Sequence, residues 1–598
     1  MRVFLRFAAG VGVMLHCHLA LAQKPTSQST EYSRYEKETI ARALEASGKK
    51  IDPAPEGKII ERIDTMRFEV LEDRDPIPDK ALGIPVRKLL NSLHVVSRDY
   101  VIRRETLLHE GEPYQQVLVD ETARNMRTRM PLEVSVVIIV GVVGSTPDKV
   151  GLLIITKDIW SLRLSYDLAV GPGGVESLLL VPQETNLLGH HHTLSTTFVY
   201  QPESYTFGAG YNIPRFGTSW IGAAANASIV INRRSGAAEG MTGALSVGQD
   251  LYSTLTKWAW GFNSSYSNTV TRHYVNANVA TFNSPDVVGA AGIPYQYRSR
   301  AESVSVSLTR SFGWGIKNNF SLSFNAAKSS YSTFDLSAFN PVVAREFQGL
   351  IPIGEARVYP MLTWASFRND YFRTLDIATL ALQEDYRLGH DVSVSLYPVP
   401  RALGSSRDLV GVTARAAYSL AMGDGLVGAT ATAFAEDSRG DITDGSVGAS
   451  FGAISPRTGF GRVVMNASFL NRFRNYLNAQ TFAGGSDRLR GYPSNFFFGK
   501  DTLFYNLEFR SRSAEVLKCQ VGGVVFYDVG DAAQGFNMLH AKQSVGTGVR
   551  ILLPQLNRMV FRADIALPMQ RGPFPETGIQ TKVDPVGFYL SFGQAFTP

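Results

Sequence analysis

The sequence predicts an all-β transmembrane barrel preceded by a small α/β domain. Three observations predict it. The N-terminus is laid out as a secretory signal, the chain from about residue 165 onward alternates with period two, and an apolar, aromatic-rich strand lies near the C-terminus.

The opening residues MRVFLR carry Arg2 and Arg6, an apolar run follows from Phe7 to Leu15, and Ala20 and Ala22 occupy the small-residue positions of an A-x-A cleavage site. This is a signal peptide, 1–22, with the mature chain expected from Gln23. The run is too short to span about 30 Å of hydrocarbon. Beyond it, nothing reaches the ~18 consecutive apolar residues of a membrane helix. The longest candidate, Val134 to Val143, is rich in β-branched residues and reads as a buried strand. A mature chain residing in a membrane must therefore cross it as a closed barrel, because only helices and barrels satisfy their own backbone there.

Composition agrees. Gly is 54 of 598 residues, aromatics are 11%, and charged residues at 19% fall below the ~25% of soluble domains. Mean hydropathy is −0.04, as alternation hides the apolarity of barrel strands in the average. The net charge of +6 comes without a dense basic tract, so nothing points to nucleic acid. The mature chain has a single cysteine, Cys519, which excludes an internal disulfide.

Residues 23–58 read as a mostly flexible tether, with a short helical stretch near 35–46 and the Pro-rich Asp52-Pro53-Ala54-Pro55. Residues 59–160 read as an α/β unit. Its strand is expected over 59–71, its first helix over 98–109 with Ser97 as N-cap and Gly111 as stop, and its second helix over 114–129 before Pro131. Two closing strands are expected over 132–143 and 150–156. Exposed edge strands of such a unit are docking sites for extended chains.

The barrel is expected over 165–598. In ESVSVSLTR, Val304, Val306 and Leu308 alternate with Ser303, Ser305 and Ser307; in NNFSLSFNA, Phe320, Leu322 and Phe324 alternate with Asn319, Ser321 and Ser323. One face is apolar and the other small and polar, the pattern of a lipid-facing and a lumen-facing side. At the C-terminal end, Val586, Phe588, Leu590, Phe592 and Phe596 share a face. The stretch from Gly587 through Leu590 to Phe592 fits a Gly-x-x-apolar-x-apolar closing signal.

No G-x-S-x-G elbow and no phosphate loop occur, so neither a serine hydrolase nor a nucleotide enzyme is indicated. His109-Glu110 lacks the second histidine of a zinc protease. The run His190-His191-His192 alternates faces if extended and reads as a polar turn, not a metal site. No enzyme, metal or cofactor is expected.

The strand–helix–helix–strand–strand order of 59–160, with VIRRETLLHEGEPYQQVLVDETARNMR at its centre, resembles a POTRA module. The C-terminal third resembles the BamA/TamA superfamily, the bacterial surface-antigen barrels. Leu489-Arg490-Gly491-Tyr492 is similar to that family's loop motif, Asn506-x-Glu508 to the strand after it, and Phe526-x-Asp528-x-Gly530 to its F-x-D-x-G strand motif. The resemblance covers about 59–160 and 460–598. It implies about sixteen strands, a loop that carries Arg490 back into the lumen, and a periplasmic module before an outer-membrane barrel. It also implies a factor that assembles, inserts or translocates unfolded polypeptides, with outer-membrane lipids as neighbours and no nucleotide. The alternation places Asn506, Glu508 and Arg510 inward on one strand and Phe526, Asp528 and Gly530 inward on another. Arg490 is then expected to bridge Glu508 and Asp528 and pin the loop. The alternative is a passive channel or structural barrel without client handling.

Overall fold

The computed structural model describes residues 32–598 except 73–84, 86–87, 89–90, 93, 131–132, 172–173, 276, 285, 517–518, 554–557, 575–581 and 597–598. The signal peptide and the first part of the tether lie outside the described residues. From Ser33 onward the chain is one compact unit.

The α/β module has three strands, β1 (Ile59–Phe68), β2 (Val134–Val143) and β3 (Lys149–Asp158), in the order β1-β3-β2, with β1 parallel and β2 antiparallel to the centre. Helices α2 (Asp99–Arg103) and α3 (Gln116–Arg129) cover one face, where Leu118, Val119, Ala123 and Met126 pack on Val137, Ile139, Leu152 and Ile154. Helix α2 is far shorter than the expected 98–109, and Ser97 does not cap it. The Ser97 amide donates to Asp158 (2.7 Å) and its hydroxyl lies 2.6 Å from His191, so the side chain is already engaged elsewhere.

The stretch read as a tether is ordered from Ser33. Helix α1 (Arg34–Ser47) begins with a capping box, Ser33 and Glu36 exchanging bonds, and ends at Gly48 with φ 64°. Lys49 pairs with Asp64, and Arg42 meets Glu72, which also takes Lys157, so α1 lies on the sheet face opposite α2 and α3. The edge of β2 is partly occupied as well. Ile51 bridges Val142, the Val143 amide donates to the Lys50 carbonyl and the Asp52 amide to the Gly141 carbonyl. Glu36, Thr39 and Ala43 are its buried residues, at helical spacing, and the helix expected near 35–46 is present over Arg34–Ser47.

The rest of the chain is a closed antiparallel barrel. Its first ten strands are β4 (Leu162–Gly171), β5 (Gly174–Leu187), β6 (His192–Gln201), β7 (Ser204–Ile213), β8 (Ile221–Asn232), β9 (Ala238–Gln249), β10 (Trp258–Arg272), β11 (Gln296–Phe312), β12 (Ile316–Thr333) and β13 (Ala356–Arg368, continued by Asp370–Leu375). The other ten are β14 (Gln383–Val399), β15 (Leu409–Met422), β16 (Gly425–Ser438), β17 (Asp441–Ile454), β18 (Gly461–Asn475), β19 (Asp501–Ser511, continued by Ala514–Val516), β20 (Cys519–Ala533), β21 (Lys542–Leu552), β22 (Phe561–Pro568) and β23 (Gly587–Phe592). The expected sixteen strands are corrected to twenty. Sixteen came with the resemblance, which leaves the middle of the chain uncovered, and there the count was free. The even number brings both chain ends of the barrel to one end, where the module sits.

Outward positions are apolar and exposed, among them Val304, Val306, Leu308, Phe320, Leu322 and Phe324. Inward positions of the same strands are small and polar, tied by pairs such as Ser265–Ser303 (2.8 Å) and Thr309–Ser321 (2.7 Å). No helix among the described residues is long and apolar enough to cross a membrane, which says nothing of crossing by strands.

A barrel of this width would hold an aqueous channel if its lumen were empty. At the end away from the module, loops after β10, β12, β18 and β22 pack together through Tyr295, Phe347, Phe496, Phe497, Phe498 and Phe574. At the other end the module grips the hairpin turns. Arg127 of α3 pairs with Asp385 (2.7 Å), the Thr254 amide donates to Glu121 (2.6 Å), Arg215 pairs with Glu105 (3.1 Å) and Arg124 lies 3.6 Å over the Tyr371 ring. The turn before β6 plugs into the module through His191, with Asn186 Nδ2 donating to the Val95 carbonyl (2.9 Å).

Candidate functional site

The loop between β18 and β19 runs back into the lumen. Gly491 has φ 94°, open to glycine and costly for other residues, and an added Cβ would meet Pro568 N at 3.1 Å and Ser544 Cβ at 3.2 Å. Arg490, beside it, is fully buried. Its Nε and Nη2 donate to the two oxygens of Asp528 (2.8 and 3.0 Å), and Nη1 donates to Glu508 (2.7 Å) and Asp564 (3.2 Å). The guanidinium lies 3.4 Å over the Phe526 ring. A planar fork with five donors can serve three carboxylates and a ring face together; an ammonium cannot.

Glu508 and Asp528 both reach the expected arginine, as neighbours on β19 and β20. The sequence reading missed the rest. Asp564 on β22, Arg510 on β19 and Arg550 on β21 complete a cluster of three arginines and three carboxylates, with Arg510 bonded to Glu508 (2.8 Å) and Arg550 to Asp564 (2.5 Å). All six are buried. Their inward orientation was readable from the alternation; that three strands converge on one loop side chain was not. Asn506 Nδ2 donates to the Arg488 carbonyl and to Asp528, tying loop to strand again.

The rest of the motif bears on the last strand. Leu489 and Tyr492 are buried, and Tyr492 donates to the Gln543 carbonyl (3.0 Å). Tyr589 of β23 accepts a bond from the Gly491 amide (2.9 Å) and donates to the Tyr492 carbonyl (3.1 Å). Gly530 packs against Phe504, where a Cβ would lie 2.5 Å from the ring. Gly587, Leu590 and Phe592 lie in β23, but Phe596 leaves the face it was expected to share. The strand stops at Gly593, φ 88°; the Phe596 carbonyl takes Arg510 Nη2 (2.8 Å), and Arg510 lies 5.6 Å over the Phe596 ring.

Strand β23 closes the barrel against β4 through three residue pairs, Phe588↔Val170, Tyr589↔Ala169 and Leu590↔Leu168. On its other side, six residues pair with β22. Outside the seam an apolar groove of about 510 Å³ is lined by Leu168, Val170, Val549, Ile565, Phe588 and Leu590. Tyr166 packs edge-on to Phe592 (5.1 Å) where the ladder has ended. Tyr589 is thus a seam residue and a loop ligand at once.

The histidine run is a turn, with His191 in the left-handed region (φ 60°). Burial lowers the His191 pKa to about 4. Among the described residues no group of three or more His, Cys, Asp or Glu is placed to hold a metal ion.

No family model matches the chain, and no curated protein does. Among solved structures it is similar to BamA from Haemophilus ducreyi lacking POTRA domains 1-3 (12% identity, 93% of this chain, 92% of that chain, TM-score 0.36). It is also similar to CdiB from Acinetobacter baumannii (9%, 90% and 74%, TM-score 0.37) and CdiB from Escherichia coli (10%, 94% and 98%, TM-score 0.40). At these TM-scores the likeness is loose, and the functional reading rests on this chain's own geometry.

Proposed function

We propose that this chain is an outer-membrane barrel, with its N-terminal module in the periplasm, that assembles or inserts other outer-membrane proteins or translocates polypeptide. The observation that carries the reading is the seam: three backbone pairs, held from inside by a loop whose Gly491 and Tyr492 grip Tyr589. A short ladder at the closing strand exposes unpaired edges at low cost, and an incoming β-segment can pair with them. No catalytic step is assigned. The driving force is the client's own strand pairing, since the periplasm supplies no nucleotide.

A passive channel is the other reading. The roof of aromatic loops, the lumenal loop and the docked module favour a resting state that conducts little. Quantitative proteomics of outer-membrane and secreted fractions after depletion tests the proposal. The expected result is a joint fall of several barrels, or one secreted protein trapped in the periplasm. Unchanged fractions together with steady conductance in planar bilayers would overturn it.

A further inference from the structure

The outward face of β10 to β12 changes character along its length. Trp258 and Trp260 begin the exposed apolar positions of β10, and Leu308, Val306 and Val304 of β11 pair with Trp260, Phe262 and Ser264. From Trp258 to Asn268 is ten residues, which at ~3.3 Å per residue and ~40° tilt is about 25 Å, the height of a barrel's apolar band. At its end and beyond, still on the outward face, come Arg300, then Arg298 of β11 and Arg272 of β10, with Lys328 of β12 opposite Glu302, one outward position before Arg300. The register fixes that face, because Arg300 pairs with Asn268, Arg298 with Val270 and Lys328 with Glu302. On β13 the outward neighbour of Lys328 is Ala356, so the row of cations ends at β12.

The sector is concave. A groove of about 700 Å³ runs up from Phe207, Ile229 and Met241 to Asn268, Glu239 and Arg298. Glu239 is held by both terminal nitrogens of Arg272 at 2.7 Å, which offsets its charge. Arg298 uses one nitrogen on Asn268 (3.3 Å) and the Glu239 carbonyl (3.1 Å). Its other donors make no hydrogen bond among the described residues, and Glu239 attracts it through space. Arg300 is exposed, meets Glu302 at 3.6 Å and lies 5.6 Å over the Tyr266 ring; Lys328 makes no hydrogen bond or ion pair among the described residues.

We propose that this groove binds a phosphorylated lipid of the leaflet farther from the module, with an acyl chain along Phe207, Ile229 and Met241 and the phosphate on Arg298, Arg300 and Lys328. An apolar floor continuous with guanidinium donors fits an amphiphile, and arginine's fork matches phosphate oxygens in pairs. Cations on the outward rim of an apolar band face head groups, not the lumen. The leaflet's identity as the outer one rests on the proposed periplasmic placement of the module; the charge site does not.

The test is native mass spectrometry of the detergent-purified full chain with a diphosphoryl hexa-acyl glucosamine disaccharide and its dephosphorylated form. Wild type is expected to hold the phosphorylated lipid at least about tenfold more strongly. Arg298→Gln/Arg300→Gln/Lys328→Gln is expected to lose that preference while keeping heat-modifiable gel mobility, and Arg298→Lys/Arg300→Lys is expected to retain most of it. Equal binding of both lipids by wild type, or an unchanged preference in the triple variant, would overturn the site. Labelling Arg300→Cys on intact cells with an impermeant maleimide, in a Cys519→Ser background, reads the orientation separately: labelling supports the outer leaflet, and protection overturns that assignment alone.

Discussion

Strands β10 and β11 and strands β23 and β4 are both neighbours in one barrel, yet they are joined by different means. Every residue of β10 pairs with β11, and the inward side chains between them are small, none larger than asparagine until Tyr297 opposite Thr271 at the far end. Strands β23 and β4 share three pairs, and what backs them is a loop from elsewhere in the chain, anchored by a buried charge cluster. The first junction stands on its ladder and is indifferent to any one side chain. The second has exchanged ladder for side chains, so single residues decide whether it holds. Buried ion pairs are poor general stabilisers, because desolvation offsets their attraction, but removing one member is costly. A junction built this way depends on the loop that backs it.

The largest expected effect is at Arg490. Arg490→Ala leaves Glu508 with Arg510, Asp564 with Arg550 and the more distant Arg562, and Asp528 without its arginine, and the cost is about 3–5 kcal/mol. Loss of heat-modifiable mobility and of assembly activity checks it; Arg490→Lys is expected to recover only part, lacking the fork. The next effect is at the module. The His191 pKa is lowered by burial to about 4, below its ordinary 6.5, so the docked state binds fewer protons than the undocked one. Docking is therefore strongest above pH 6.5 and weakens as pH falls from 6.5 towards 4, by roughly 1.4 kcal/mol per unit across that window. Hydrogen exchange of the turn at 188–191 across this range should show progressive loss of protection, and a flat profile would remove His191 from the docking account. Tyr589→Phe deletes the donor to Tyr492 and the acceptor for the Gly491 amide, at about 1–2 kcal/mol, and should raise seam opening seen by spin-label distances without unfolding the barrel. The smallest effect is the control at the other junction: Ser265→Ala loses one exposed hydroxyl pair and should change stability by less than about 0.5 kcal/mol.

Much of this was legible in the residues, for reasons that differ along the chain. The inward and outward sides of β11, β12, β19 and β20 follow from period-two alternation, because a strand has no other way to face two environments. The meeting of Arg490 with Glu508 and Asp528 was expected from the family resemblance, which brings the loop into the lumen, together with the alternation that turns both carboxylates inward. Asp564, Arg510 and Arg550 were not picked out, since alternation tells which way a side chain points and not which distant loop it meets. Helix α1 was expected near 35–46, but its packing on the module was not, since its buried positions are Glu36, Thr39 and Ala43 and none is a large apolar residue. Ser97 was misread because a serine before an acidic turn looks like a cap until tertiary partners claim it. Phe596 was placed on the strand because a single glycine, Gly593, does not announce a reversal.

The most direct test of the central claim is to lock the seam. Leu168→Cys/Leu590→Cys, in a Cys519→Ser background, places a disulfide between paired residues of β4 and β23. In cells depleted of the wild-type chain, the oxidised variant is expected to fold, reach the membrane and fail to support its clients, with activity returning on reduction. Full activity in the oxidised, cross-linked state would contradict a seam that must open.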